Sequence, residues 1–297
     1  MKKFFALSRT THGILDLAAP GFCAVLWLGH FPPWQTIVLS LFTAFAAYTA
    51  TYALNDLVGT ATDKEKFAGG INAGYSVEAS ALRYPLARNV LDGRSGWIWF
   101  ASWFIVALAG SYLLNPAIVV ILVSASALEV MYCLLLKVTY LRTLVSGLVK
   151  SSGPIAAVFV VDRSPSAYLL LLVFAWVFFW EIGGQNIPAD WNDTAEDKRV
   201  NAKTIPIRFG TEKAGLIILC ALALTVLTST FLPVISPTKL GVLYLLASVT
   251  AGSLLLLKPA YQLCRLRKGV QAATLFDNAS YYPLAQLAII SIFVILK

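Results

Sequence analysis

Charge is scarce in this chain. Only 13% of its 297 residues are charged, and Asp and Glu together number 15. An ordinary soluble domain carries about 25% charged residues, so a soluble fold is excluded. Histidine is scarcer still: His12 and His30 are the only 2, which gives no support to a histidine metal site or haem ligation. The 4 cysteines, Cys23, Cys133, Cys220 and Cys264, are scattered and form no Cys-x-x-Cys pair. They read as small buried hydrophobes rather than as a disulfide or zinc framework. Short alternating segments are also missing, which excludes a membrane β-barrel. The opening Met1-Lys2-Lys3-Phe4-Phe5 is like a signal peptide, but no small-residue cleavage site follows the apolar stretch from Ile14 to Leu28. That stretch is expected to stay as a first membrane span.

What the chain has in plenty is apolar sequence: 58% hydrophobic residues and a mean hydropathy of +0.74. Runs near the roughly 20 residues that cross a bilayer recur along its length. The expectation is an all-α polytopic membrane protein, one domain over 1–297. Nine spans are expected near 13–30, 35–56, 97–114, 116–136, 141–161, 167–187, 213–234, 238–258 and 279–296. With the amino terminus cytoplasmic, all of the 23 Lys and Arg residues except Arg163, Lys239 and Lys297 fall inside, twenty against three. That distribution satisfies the positive-inside rule. The net charge of +8 is therefore topological and does not imply nucleic acid. A compact multi-pass chain of this kind suits a prokaryotic inner membrane.

The few acids gather in two places. Asn55, Asp56 and Asp63 close the second span, and Asp190, Asp193 and Asp197 close the sixth, so both clusters open cytoplasmic loops, near 57–96 and 190–212. If the second helix runs on to residue 63, Asn55, Gly59 and Asp63 share a face at i, i+4 and i+8. Asn186, Asp190, Asp193 and Asp197 step by 4, 3 and 4 and also share a face. Like charges so spaced destabilise a helix unless a cation binds. Hard oxygen ligands a helical turn apart suit Mg²⁺, which binds one or two carboxylates together with substrate phosphate. A Mg²⁺-bridged diphosphate site is the sharp reading; solvated acidic loops are the plain one. Pro188 is expected to kink the sixth helix. Arg83, Lys137 and Lys203 stand near the clusters and could hold diphosphate oxygens; each could equally be a positive-inside anchor. Trp97, Trp99, Trp103, Trp176, Phe178, Phe179 and Trp180 read mainly as belt or packing residues, some of which could line a polyisoprenoid pocket. Glu129 and Glu181 lie within apolar segments and are candidates to orient an acceptor.

These residues resemble the UbiA superfamily of intramembrane prenyltransferases over nearly the whole chain. The superfamily's first motif is Asn-x-x-x-Asp-x-x-x-Asp; Asn55 and Asp63 match its ends, Gly59 replaces its middle Asp, and Asp56 supplies a neighbouring acid. Asp193 and Asp197 match the second motif, Asp-x-x-x-Asp, and Asp190 adds an acid upstream. Lys203-Thr204-Ile205-Pro206-Ile207-Arg208-Phe209-Gly210 is similar to the continuation of that motif. Arg83-Tyr84-Pro85-Leu86 is similar to an Arg-Pro-Leu segment with one residue inserted. Tyr132 to Lys137 is a Tyr-x-x-x-Lys motif one residue too long.

The resemblance implies a UbiA-type bundle with a cytoplasmic polar cap. It implies transfer of a prenyl group from a prenyl diphosphate to a hydrophobic acceptor, aromatic or lipid, as in quinone biosynthesis. Two Mg²⁺ ions would be held by Asn55, Asp56 and Asp63 and by Asp190, Asp193 and Asp197. Asp63, Asp193, Asp197 and Lys137 would be catalytic, and Asn55, Arg83, Tyr132, Asn186 and Lys203 would bind substrate. A prenyl-diphosphate-binding homologue without turnover, a membrane transporter and another intramembrane lipid-phosphate enzyme are the alternatives.

Overall fold

The computed structural model describes residues 1–66, 68 and 84–296. Among these residues there is no strand, and nine helices are long and apolar enough to cross a membrane. They are α1 (Thr10–Leu28), α2 (Trp34–Lys66), α3 (Gly93–Leu114), α4 (Pro116–Lys137) and α5 (Arg142–Val161). α6 (Ala167–Asn192), α7 (Ile205–Ile235), α8 (Gly241–Leu266) and α9 (Gly269–Ile295) complete the bundle. The expected nine spans are all present, but most are longer at the end that carries the acidic clusters. α2 runs unbroken through Asn55 and Asp63 to Lys66, so the first cluster lies on helix rather than in a loop. The second cluster is also more ordered than the expected loop: a short helix, Thr194–Arg199, follows α6 almost at once.

Local chemistry explains the breaks. α1 is two pieces, Thr10–Asp16 and Ala18–Leu28, joined at Leu17. Asn115 caps α4 by accepting the Ala117 amide at 3.0 Å, and Pro116 at the first helical position supplies the preset φ. α6 carries the expected disturbance near Pro188. Its turn Glu181–Asn186 is a π-helix, and Pro188 then sits in the first turn of the resumed α-helix, where its missing N–H costs nothing. The added residue of the π-turn shifts the phase of everything after it. As a result Glu181, Gln185, Asn186, Ala189, Asp190 and Asp193 all face the same interior cavity.

Packing divides the bundle. The main core joins α1 and α5 to α9, with Phe22, Trp176, Trp180, Tyr244 and Tyr282 all nearly inaccessible. Trp176 donates to Tyr282 Oη at 3.2 Å and Trp180 to the Ala279 carbonyl at 2.9 Å, which satisfies both indoles away from water. A smaller core holds α2 against α3 and α4. Here Gly110 lets the helices touch: a Cβ at that position would collide with Thr43, as expected where small residues set the helix spacing in a membrane. Leu113, Val120, Leu171, Val242 and Leu243 are exposed and form part of the apolar outer face.

Candidate diphosphate and acceptor cavity

Between α1, α2, α4, α5 and α6 lies a cavity of about 650 Å³. One end is apolar, walled by Phe31, Ile37, Leu114, Ile118 and Val161. The other is polar, walled by Arg9, Asn55, Asp63, Lys66, Arg142, Asp190 and Asp193. Between them sit Tyr48, Tyr52, Tyr132, Glu129, Glu181 and Lys150. The aromatic rings facing the cavity are thus tyrosines, Phe31 and Phe276; the expected tryptophans are in the cores or elsewhere. Glu129 and Glu181 do face it.

The acids at the polar end are tied to cations from other segments of the chain. Arg9 donates to Asn55 Oδ1 at 3.1 Å and to Asp56 Oδ1 at 2.9 Å. Asn55 then donates through Nδ2 to Glu129 Oε1 at 2.5 Å. Arg142 donates to Asp190 Oδ1 at 3.1 Å and lies 4.0 Å over the Tyr132 ring. Asn186 donates to Tyr132 Oη at 2.9 Å. Lys66 Nζ is 2.6 Å from Asp197 Oδ1 and 3.6 Å from Asp193 Oδ2. Burial pushes the Asp197 carboxyl up to about 7, against the opposing pull of Lys66. Deeper in, Lys150 donates to Asp16 at 2.7 Å, Tyr52 donates to the same carboxylate, and Ser146 donates to Glu181 Oε1 at 2.6 Å.

Most of the expected site residues are brought together. Asn55, Asp63, Tyr132, Lys137, Asn186, Asp190 and Asp193 all line the cavity. Asp56 and Asp197 do not: both are buried beside it, held by Arg9 and Lys66. Lys137 reaches the rim, where its ammonium pairs with Glu65 at 2.6 Å and is 42% exposed. Lys203 departs from expectation. Its side chain is exposed and does not line the cavity; its backbone N–H donates to the Leu136 carbonyl at 2.8 Å and so joins the chain after α6 to α4. Arg83 lies outside the described residues. Arg9, Lys66, Arg142 and Lys150 fit the sequence pattern as topological anchors, which hid their place in the site, and Asp16 lies apart from both acidic clusters. An ionisable residue inside an apolar span, as Asp16 and Lys150 are, was the available signal.

The residues fit a hard cation only in part. Asn186 Oδ1, Asp190 Oδ2 and Asp197 Oδ2 are buried and accept no hydrogen bond, a costly state that a cation would relieve. The first cluster offers less: Asn55 and Asp56 are engaged by Arg9, and Gly59 contributes no side chain. Among the described residues, no three His, Cys, Asp or Glu side chains converge as a metal-holding group.

Comparison with known proteins agrees with this architecture. The sequence profile of the UbiA prenyltransferase family matches residues 17–286. Among solved structures, the apo form of a UbiA homologue from Aeropyrum pernix K1 superposes with a TM-score of 0.73 at 19% identity, covering 96% of this chain and 97% of that one. A digeranylgeranylglyceryl phosphate synthase gives 0.70 at 16% identity, over 100% of this chain and 99% of that one. A UbiA homologue from Archaeoglobus fulgidus bound to GPP and Mg²⁺ gives 0.65 at 15% identity, over 97% and 99%. Among curated proteins none matches the sequence.

Proposed function

The chain belongs to the UbiA prenyltransferase family, and from that premise we propose that it transfers a prenyl group from a prenyl diphosphate to a hydrophobic acceptor inside the membrane. The observation that carries this reading is the cavity, densely charged at one end, polar and aromatic in its middle and apolar at the far end. A prenyl diphosphate has the same division, a polar head on an apolar tail. The diphosphate belongs with Asp63, Asp190, Asp193, Arg142 and Lys66, and the tail with the wall from Thr51 down to Ile37. The Archaeoglobus homologue, with GPP and Mg²⁺ bound, supports both the substrate class and the metal.

Asn186 and Asp190, whose buried oxygens lack partners, are the residues that would hold Mg²⁺, with Asp193 and Asp197 beside them next to Lys66 and Asp63 also lining the cavity. When bound, the ion neutralises charge on the departing diphosphate. The protein's own groups do the rest. Arg142 is oriented by Asp190 and the Tyr132 ring and donates to diphosphate oxygens as the C–O bond breaks. Lys137 assists from the rim, and Arg83 is proposed as a further donor to the diphosphate. The apolar walls keep water from the allylic cation, and Tyr48, Tyr52 and Tyr132 offer it π faces. Glu129 and Glu181 orient the acceptor, for which an aromatic quinone precursor or a lipid is the favoured class. The charge asymmetry of twenty against three among the 23 Lys and Arg residues argues that the polar end is cytoplasmic, as in a prokaryotic inner membrane.

The test is diphosphate release by the purified chain in nanodiscs. Geranyl, farnesyl and geranylgeranyl diphosphates are supplied with Mg²⁺ and a pool of aromatic and lipid acceptors, with EDTA as control. Metal-dependent release stimulated by acceptor is expected, and Asp193→Ala or Asp197→Ala should abolish it while insertion and folding persist. Full turnover by either variant would refute the diphosphate site. Binding without release would favour a second reading, a binding-only homologue, for which Gly59 in the first motif is the specific observation.

A further inference from the structure

Lys66 is the last residue of α2, the helix of the first acidic cluster, yet its side chain serves the second. Its ammonium touches Asp197 and Asp193, at 2.6 and 3.6 Å, and its side chain is only 10% exposed. Its carbonyl accepts from Arg199 Nη1 at 3.3 Å, so backbone and side chain both fasten it to the segment after α6. Opposite, the first cluster offers an ion few oxygens. Gly59 and Asp63 both face the cavity. A Cβ on Gly59 would stand 3.2 Å from Asp63 Oδ2, so the side chain missing from position 59 is one that would have lain against that carboxylate. Asn55 and Asp56 are occupied by Arg9.

A divalent ion on the Asp193–Asp197 pair would have to displace a buried ammonium, and stripping that ammonium of its partners is costly. A cation placed beside it without displacement would be repelled at short range in a poorly screened site. We propose that the Lys66 ammonium takes the place of one of two divalent ions between the acidic helices, so that the diphosphate site runs on one metal ion and one tethered cation. The inference rests on the diphosphate reading above and deepens it. In this arrangement Lys66 neutralises the buried acid pair and lends donors to the diphosphate, while the remaining oxygens of α6 take the single ion.

The experiment counts bound Mn²⁺ by electron paramagnetic resonance on the full chain in nanodiscs, with inorganic pyrophosphate present. Variants are accepted once they elute as monodisperse species. The unmodified chain and Lys66→Arg should each bind one Mn²⁺, and Lys66→Met two, because the vacated carboxylates then need a cation. Gly59→Asp, which leaves Lys66 in place, should stay at one and keeps the test decisive if Lys66→Met fails to fold. Two ions in the unmodified chain, two in Gly59→Asp, or one in a folded Lys66→Met would overturn the assignment of Lys66. No Mn²⁺ in any variant would overturn the diphosphate reading itself, and the assignment with it.

Discussion

Asp56, Asp190 and Asp197 are buried, and each takes its countercharge from a different part of the chain: Arg9 in the turn before α1, Arg142 on α5 and Lys66 on α2. These pairs do not add stability simply by existing, because desolvating both partners offsets most of their attraction. Their energetic weight appears when one partner is removed. The Arg142 and Asp190 side chains are 7% and 10% exposed, so Arg142→Gln leaves a buried carboxylate without its cation. The expected loss is about 3–5 kcal/mol, read as a lower thermal midpoint in detergent. Arg142→Gln combined with Asp190→Asn should recover most of that stability, since the orphaned charge is gone, but should not recover transfer. Equal destabilisation by the single and double variants would disprove this account. The acids of the site were legible in the sequence because acids are so rare in it. Their cations were not: Arg9, Lys66 and Arg142 lie at helix ends, where the positive-inside rule already explains a basic residue, and only the fold tells an anchor from a partner.

At the level of elements, α6 determines the site. Its π-turn brings Glu181 and Asn186 to the cavity together, and two glycines make room for it. A Cβ on Gly183 would stand 2.9 Å from Leu222 Cγ and 3.0 Å from the Ile218 carbonyl of α7. A helix carbonyl is not free to move aside, so Gly183→Val is overpacked and should cost at least about 1–3 kcal/mol. The measurement is the yield of monodisperse protein, with Gly59→Ala as control. A Cβ at Gly59 has only Asp63 as a near neighbour, so that variant should purify like the unmodified chain. A normal yield of Gly183→Val would mean that α6 and α7 are not held at that distance. Much of this level could be read in advance. Hydropathy marked the nine spans, and Pro188 marked where α6 is disturbed. The form of the disturbance could not be read, because a π-turn and an α-turn carry the same apolar pattern and tertiary contacts choose between them. The helix ends beyond the apolar runs were missed for a related reason. Asp63 and Lys66 look like loop residues until Asp193 and Asp197 are seen to receive Lys66.

For the whole molecule the open question is how long a tail the cavity takes. Its wall on α2 is built from Ile37, Ser40, Leu41, Ala44, Ala47, Tyr48, Thr51 and Asn55, residues three and four apart that form one face of the helix. From Asn55 to Ile37 that face descends roughly 27 Å at 1.5 Å per residue, most of the thickness of a bilayer's hydrocarbon core. Ala44 and Ala47 are small and lie midway, and Ser40 one turn below is small too, which leaves the passage open toward Phe31 and Pro32. A short tail would stop above them, whereas a long one must pass. Ala44→Trp fills the passage at mid-depth without touching the charged end. It should lower kcat/KM for geranylgeranyl diphosphate by roughly tenfold or more, the discrimination typical of a few methylenes refused by an apolar pocket. Turnover of geranyl diphosphate should be nearly unchanged. The comparison of the two substrates on one variant separates a shortened slot from a damaged fold, since damage lowers both. No loss on either substrate would mean that the tail leaves the cavity between helices above Ala44 and runs instead in the lipid.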